Sequence, residues 1–520
     1  MKNEISHEST VIPMFPIDGN SVYMINPLFR FRNETDHILI YGMQGIGSWH
    51  VHRSFGVLLS LFNGERTVSE IVDIVLPLVE GINILGKDQK TIAYEYVSSF
   101  IALMTKSKTQ QMGKDNISSQ FPSEAVLLSQ KDYGEKFRSI HIFNIQYDPY
   151  VFLPNSKLKV SSGPFRVIHN SAPHSLNWHL TSSCSTNCKY CYLKRRILSL
   201  TPIERLCQLI DEAAHIGVFE INLLGGDVLL YPHLIKVMKQ LHNYKFLPMV
   251  LSSKSFLSEE LALSLSELRE LIYEMQFSID SDDSAISEYL VGVPNFPNTI
   301  FSSIENALHA GLNVTAKSVI TPYNLKTVPR LYRKLKERGV NKIRLAVYSR
   351  SGYHHSDDLF LSQNDFDWIN NEIDKLNTEF TDDNIMLQNG QPGFEKTSPE
   401  SLKSSWPNRS VCTAGRVNMM ICADGIVIPC EQMPETEKYF CGDLNHQSIM
   451  DVWNSERLKE MTYGMPQEYF KNTPCYDCAE RDECHNIMGF CIRDLAVHHG
   501  DIYQPPANCY KNLLNFIRMS

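Results

Sequence analysis

Between Leu176 and about Gly352, six strand-like runs alternate with amphipathic helical stretches, and this alternation constrains the fold more than any other feature of the chain. The runs are Leu176–Thr181, Glu220–Leu224, Pro248–Ser252, Glu274–Ile279, Asn313–Ile320 and Lys342–Val347, with helical stretches such as Ile203–Ile216 and Leu331–Arg338 between them. Strands separated by helices predict a parallel sheet with helices outside, so the expected class is α/β, an open or partial (β/α)6 barrel. Ligands of such folds sit at the carboxyl ends of the strands. The loops that leave those ends are therefore where chemistry is sought.

The rest of the chain is organised around this region. Its 520 residues allow about three domains. Residues 18–106 begin with strand-like stretches, Ser21–Phe29 and His37–Tyr41, joined by a polar turn at Asn33–Asp36. Three helices follow, the clearest being Thr67–Val79, where Val68, Ile71, Val72, Val75, Leu76 and Val79 keep helical spacing behind a Thr67/Glu70 cap. Strands followed by a helical trio predict a winged-helix-like domain. Residues 107–172 read as an ordered connector, strand-like around Ile140–Val151; 173–360 hold the barrel, 361–406 a bridging segment, and 407–520 a cysteine-rich domain of turns and short strands.

Composition excludes several functions. A net charge of -9 leaves no cationic surface for phosphates, so no nucleic-acid partner is expected. No stretch approaches 18 uninterrupted apolar residues, and Met1–Thr10 has no apolar signal core, so the expected site is the cytoplasm, with no membrane partner.

The 13 cysteines are placed unevenly: none precedes Cys184, three fall within eight residues, Cys207 stands alone, and nine lie between Cys412 and Cys509. In a reducing compartment such clustering points to thiolate metal ligands rather than disulfides. The loop after the first barrel strand reads Cys184-Ser-Thr-Asn-Cys188-Lys-Tyr-Cys191. Three thiolates on one tight loop can hold three irons of a cubane and leave the fourth open to a ligand; a structural zinc site is the plainer alternative. Cys207, on a helix, reads as a buried apolar thiol.

This loop, placed after a strand and with an aromatic before its last cysteine, resembles the radical S-adenosylmethionine (SAM) superfamily. Gly225-Gly226-Asp227 ends the second strand where that family carries Gly-Gly-Glu, and the resemblance gives Asp227 the SAM amino group. Phe277-Ser278-Ile279-Asp280 resembles the family's Ser-Leu-Asp-Gly and implies Ser278 at the SAM site; Lys317-Ser318-Val319-Ile320-Thr321 leading to Asn324 is family-like too. Where the family often has Arg-Gly, this chain has Val291-Gly292, so the SAM carboxylate is left to Lys317 or Lys254. Tyr190 is either packed near the adenine or a plain core tyrosine.

Farther on, Cys412, Cys430, Cys475-x2-Cys478-x5-Cys484, Cys491 and Cys509 resemble the SPASM extension of radical SAM peptide maturases. That resemblance implies three [4Fe-4S] clusters in all: the SAM-binding one, an outer auxiliary cluster on Cys475, Cys478, Cys484 and Cys509, and an inner one on Cys412, Cys430 and Cys491. The fourth position of the inner cluster falls to Cys422, to Cys441 or to an open site, while both thiols can equally be core residues. The gap from Cys484 to Cys491 is longer than the family's usual one. In sulfatase-maturing relatives an acidic residue at the position of Glu431 takes a substrate proton; a solvated carboxylate is the alternative.

Residues from His37 through Val79, with Leu58-Leu59-Ser60-Leu61-Phe62-Asn63-Gly64 among them, resemble a PqqD-like RiPP recognition element, a winged helix that binds leader segments of ribosomal peptides by strand addition. Together these resemblances imply an enzyme that binds a precursor peptide and installs a thioether, carbon–carbon or ether cross-link. Hydrogen abstraction by a 5′-deoxyadenosyl radical would start it, with electrons from a donor such as flavodoxin or ferredoxin. A formylglycine-forming sulfatase maturase and a non-catalytic iron–sulfur peptide-binding partner are the rival readings.

Overall fold

The computed structural model describes residues 17–34, 37–42, 46–79, 84, 86–105, 124–136, 168–193, 199–244, 246, 249–381, 383, 385–388, 404, 411–506 and 509. It divides into two compact units, Met1–Val167 and Ile168–Ser520. Among the described residues no helix is long and apolar enough to cross a membrane. The strand expected around Ile140–Val151 lies outside the described residues, as does most of 361–406 after Gln388.

The first unit opens with β1 (Val22–Ile25), β2 (Phe29–Asn33), β3 (Ile38–Gly42) and β4 (Gly47–Val51). The single strand expected over Ser21–Phe29 is broken in two. Pro27 has no N–H to give a ladder, and the Asn26 side chain takes the Leu28 N–H at 3.0 Å while its carbonyl takes that of Phe29 at 2.8 Å. The chain turns there, and β2, β3 and β4 form an antiparallel meander with Phe31 opposite Ile40 and Ile40 opposite Trp49.

Helices α1 (Arg53–Leu61) and α2 (Val68–Val75) flank β5 (Asn63–Thr67), and α3 (Gln89–Met104) follows. The capping box of Thr67 and Glu70 starts α2 as expected, but the α-helix ends at Val75 and a 3-10 turn carries Pro77. Phe62 stacks on Phe100 at 6.0 Å over a core of Val57, Leu59, Ile71, Val75 and Val97. Part of the stretch read as a connector belongs to this unit: β6 (Leu127–Ser129) pairs with β1, with Tyr23 opposite Ser129, before α4 (Gln130–Lys136).

The second unit contains the expected partial barrel. Its strands are β7 (Ser175–His179), β8 (Glu220–Leu224), β9 (Met249–Ser253), β10 (Ile272–Ser278), β11 (Val314–Ile320) and β12 (Lys342–Val347). Between and after them run α5 (Ile203–His215), α6 (Leu234–Asn243), α7 (Glu259–Ser266), α8 (Ser284–Val291), α9 (Phe296–His309), α10 (Val328–Glu337) and α11 (Gln363–Glu379). Strands β7 and β8 pair in parallel, as do β9 through β12, and a short β13 (Leu387–Gln388) extends the latter edge.

Strand alternation sorts the side chains by face. Leu176, Trp178, Ile221, Leu223, Leu251, Met275, Phe277, Ala316, Leu345 and Val347 are buried on one face. Ile320, Leu345 and Val347 pack there with Val328, Tyr332, Ile369 and Leu376 of the helices. The opposite face, lining the lumen, is polar. It carries Asn177, His179, Asn222, Ser252, Glu274, Gln276, Ser278, Lys317 and Arg344, set by the registers Asn177–Asn222, Gln276–Ser252 and Ser278–Lys317.

The cysteine-rich region is built into the barrel. Strand β14 (Asn418–Ile421) lies parallel to β7, Met420 opposite Asn177, and turns back through β15 (Ile426–Ile428) and β16 (Gly442–Asp443). Two short helices follow, α12 (Ile449–Trp453) and α13 (Glu456–Thr462), and α14 (Ile492–His499) comes later. The side chain of Arg205 on α5 donates to the Leu444 and Gln447 carbonyls at 2.8 Å each, and the fully buried Trp453 indole donates to the Asn170 carbonyl at 2.8 Å.

Candidate active site

The Thr181–Cys191 loop leaves the carboxyl end of β7 and is held from three sides. From β8, the Gly226 and Asp227 N–H groups donate to the Thr181 and Ser183 carbonyls at 2.7 Å each. A Cβ on Gly226 would stand 2.2 Å from the Ser183 carbonyl oxygen, and one on Gly225 would stand 2.6 Å from that of Thr181. The two glycines therefore let the cysteine loop seat on β8. From α8, the Val291 and Leu290 carbonyls accept the N–H groups of Asn187 and Lys189 at 2.7 and 2.9 Å. So Val291-Gly292, where the family often has Arg-Gly, buttresses the loop. From the loop after β12, Ser351 Oγ donates to the Cys191 carbonyl at 2.8 Å, and His354 Nδ1 donates to that of Cys188 at 2.9 Å. Inside the loop the Thr186 hydroxyl lies 3.3 Å from the thiols of both Cys184 and Cys188.

Beside this loop is a buried polar knot. Lys254 Nζ lies 3.0 Å from Asp280 Oδ2 and 2.5 Å from the Tyr190 hydroxyl, which itself donates to Asp280, while Asp280 Oδ1 takes the Val319 N–H at 2.8 Å. Burial and the Asp280 carboxylate hold the Tyr190 hydroxyl well above its ordinary range. Desolvation is the largest influence on Lys254 and opposes its charge, but Asp280, Cys188 and Cys184 together outweigh it and the ammonium is raised. Of the two lysines considered for an anionic ligand, Lys254 is thus engaged within the protein.

Lys317, inward-facing beside Ser278, is held below its usual value mainly by burial, with Glu431 opposing. Asp227, 1% exposed, accepts from the Ser253 hydroxyl at 2.8 Å and from the Leu229 and Lys254 N–H groups at 3.1 and 2.7 Å. Its oxygens bind the ends of β8 and β9 together in this structure, which leaves little free acceptor capacity for the amino group given to it on the sequence.

The later cysteines fall into two neighbourhoods. Cys475 is raised to about 12 by burial and then by Cys509, Cys478 and Cys484, while Cys484 and Cys509 pack against Phe490 and Leu495. Cys430 and Cys491 are pushed up to about 11 and about 12, chiefly by burial, and each also feels Cys412. The long gap before Cys491 is taken up by a π-helical turn, Glu483–Met488, and by Gly489 at φ 68°. At Gly489 the chain passes so near Cys412 that an added Cβ would stand 3.4 Å from that residue's own. Cys422 and Cys441 are buried, 0% and 5% exposed, with Cys441 Sγ 3.7 Å from the Tyr439 carbonyl. Cys207 is raised by burial on α5. Among the described residues no three His, Cys, Asp or Glu side chains converge to hold a single ion. The donor set, all sulfur and in two groups, suits iron–sulfur clusters.

Sequence reasoning passed over the residues that join these parts. Tyr192, next to Cys191, is half-buried, and Glu431, Cys191, Cys430 and Glu435 all add to the upward push that desolvation gives its hydroxyl. His179 at the end of β7 is 1% exposed, its Nδ1 3.6 Å from Glu435 Oε1 and its ring 6.4 Å from that of Tyr192. The inward parity of His179 was readable from the strand period; its meeting with Glu435, 256 residues on, was not.

This arrangement defines a class. Residues 178–347 match the Radical SAM superfamily and residues 412–479 match SPASM, an iron–sulfur cluster-binding domain. The chain is a radical SAM enzyme with a SPASM extension, and the two matches imply iron–sulfur clusters and SAM as its cofactors.

Among curated relatives it is similar to PqqA peptide cyclase of Gluconobacter oxydans (strain 621H), with 20% identity over 321 residues, 60% of this chain and 84% of the relative. PqqA peptide cyclase of Methylorubrum extorquens (strain PA1) is 22% identical over 325 residues, 60% of this chain and 79% of the relative. In fold it is similar to Streptococcus suis SuiB bound to its precursor peptide SuiA, with a TM-score of 0.58 and 14% identity, covering 94% of this chain and 100% of that one.

Proposed function

We infer that this enzyme modifies a ribosomally made precursor peptide, closing an oxidative cross-link within it, either a thioether or a carbon–carbon or ether bond. One relation carries the reading: the Glu431 carboxylate acts on both Tyr192 and Lys317, and Tyr192, next to Cys191 in the chain, also feels Cys430, so thiols of both cysteine groups border one half-buried site. A hydrogen-abstraction site and a one-electron acceptor side by side are what ring closure needs. The likenesses to PqqA peptide cyclase and to SuiB, the latter bound to a precursor peptide, support a peptide as the substrate.

In this reading Cys184, Cys188 and Cys191 hold the SAM-binding [4Fe-4S] cluster. Cys475, Cys478, Cys484 and Cys509 hold the outer auxiliary cluster, and Cys412, Cys430 and Cys491 the inner one. The fourth position of the inner cluster falls to Cys422, to Cys441 or to an open site. When bound, reduced cluster and SAM supply a 5′-deoxyadenosyl radical, with an electron donor such as flavodoxin or ferredoxin behind them.

The residues of the chain do the rest. Lys317, lacking a salt bridge among the described residues, offers its ammonium to the SAM carboxylate near Ser278, and Tyr190 walls the adenine side. Gly225 and Gly226 seat the loop, and Asp227 orders the ends of β8 and β9. Glu431 receives the substrate proton on the lumen side of Cys430. The antiparallel sheet β2–β3–β4 followed by three helices supports a RiPP recognition element in the first unit, with a leader segment adding as a strand at the sheet edge.

Glu431→Gln tests the reading. The amide keeps size and hydrogen bonding but cannot take a proton, so peptide cross-linking should fall about a hundredfold. Iron content and peptide-dependent 5′-deoxyadenosine formation should persist. Cross-linking at the wild-type rate, followed by mass spectrometry of the precursor, would return Glu431 to a structural role. Deleting residues 1–106 should separately weaken leader binding while leaving slow, uncoupled SAM cleavage; equal leader affinity in a calorimetric titration would remove the recognition role from this region.

A further inference from the structure

Two residues past Cys491, α14 carries Arg493, a residue 9% exposed whose guanidinium is anchored on two sides. Nη2 donates to Ser349 Oγ at 2.8 Å and to the Arg350 carbonyl at 2.7 Å, and Nη1 meets Asp494 Oδ1 at 2.5 Å. Ser349 and Arg350 lead straight into Ser351 and His354, which hold the Cys191 and Cys188 carbonyls at 2.8 and 2.9 Å. A run of hydrogen bonds along one short loop thus connects the neighbourhood of Cys491 with the backs of two thiols on the Cys184–Cys191 loop.

The third donor group of Arg493 is different. Its Nε–H is buried and has no acceptor among the described residues. Orphaned buried donors are rare in folded proteins, and each calls for an explanation. Asp494, 47% exposed at its side chain, is screened by solvent and leaves much of the guanidinium charge uncompensated inside. Cys491 is the N-cap of α14, and Arg493 stands in the first turn behind it, so the guanidinium is fixed close to that thiol's backbone. A fixed cation with a spare, buried N–H in the turn behind Cys491 suits an acceptor that is sulfur-rich and negatively charged.

We propose that Arg493 is a positioning residue for the inner auxiliary cluster: its charge and its free Nε–H raise that cluster's reduction potential, while Nη2 ties the same cluster to the SAM-binding loop. The proposal rests on the assignment of Cys412, Cys430 and Cys491 as that cluster's ligands. A cationic donor stabilises the more negative, reduced state, so the potential moves up. Ring closure needs such an acceptor. The substrate gives one hydrogen atom to the 5′-deoxyadenosyl radical, one proton to a base and one electron to the cluster, and one new bond replaces the two bonds to hydrogen that break.

Two variants of the reconstituted full-length enzyme test this. Arg493→Gln removes the charge, and Arg493→Lys keeps the charge but loses the planar fork. In an EPR-monitored redox titration the Gln variant should show one cluster shifted to lower potential at unchanged iron content. It should also consume several times more SAM per cross-link formed. The Lys variant, which keeps the charge but not the Nε–H, should titrate between the Gln variant and the wild type and stay poorly coupled, because one ammonium cannot replace the fork between Ser349 and the Arg350 carbonyl. An unshifted potential in the Gln variant overturns the proposal. Should the Gln variant lose iron, the Lys variant decides: a modestly lowered potential at full iron content supports the role of the Nε–H, and a wild-type one overturns it. Failure of the underlying ligand assignment would read differently, as wild-type iron content and EPR spectrum in the combined Cys412→Ala, Cys430→Ala and Cys491→Ala variant.

Discussion

Replacing Cys184, Cys188 and Cys191 together by alanine should abolish 5′-deoxyadenosine formation and remove about four irons per chain, from a total of roughly 8–12. The loop is held by backbone contacts that the substitution leaves intact: Gly226 and Asp227 to Thr181 and Ser183, Asn187 and Lys189 to Val291 and Leu290. The fold should therefore survive while the ligands disappear, and circular dichroism should resemble that of the wild type. The auxiliary thiols, which sit in two other neighbourhoods, should keep their irons. Continued 5′-deoxyadenosine production, measured by chromatography of the anaerobic reaction, would place SAM cleavage somewhere other than this loop.

Gly226→Ala should lower SAM cleavage by about a hundredfold or more without touching a ligand or a charge. The new Cβ would stand 2.2 Å from the Ser183 carbonyl oxygen and 2.6 Å from that of Ser182, both of them backbone atoms that cannot swing aside. The loop must move away from β8, carrying Cys184 with it, and a misplacement of about 1 Å at a reacting centre costs on that order. Gly134→Ala is the control: it lies within α4 with no atom within 4 Å of the new Cβ, and its activity should equal the wild type's. Wild-type cleavage in the Gly226 variant would mean that the loop does not need this seat.

These two expectations draw on different sources of information. The cysteine triad was visible in the sequence because its spacing is local, and so was the barrel. Glu220–Leu224 and Lys342–Val347 have the same bounds in sequence and structure, and the Thr67/Glu70 box starts α2 where its pattern places it. Hydrophobic period, caps and turn residues act over a few residues, and a few residues suffice to read them. The glycines were also found, but their task was not. What the sequence did not show is that the backbone they accommodate belongs to Thr181, Ser182 and Ser183, some 45 residues earlier.

The same limit explains the rest. Local pattern alone determined that this chain would build a parallel α/β sheet with a three-thiol loop at its carboxyl end and a second store of thiols beyond it. Only the tertiary structure decided that β14 would lie against β7, that Cys491 would reach Cys412 through a π-helical turn, and that His179 would face Glu435 beside Tyr192. Which strand takes the free edge of a sheet depends on surface buried jointly by segments some 240 residues apart, and no short-range period records that. A buried side chain's partner is likewise chosen by whichever groups the packed core leaves within reach. The chain thus announced its chemistry in its cysteines, and it settled in three dimensions which side chains would serve them.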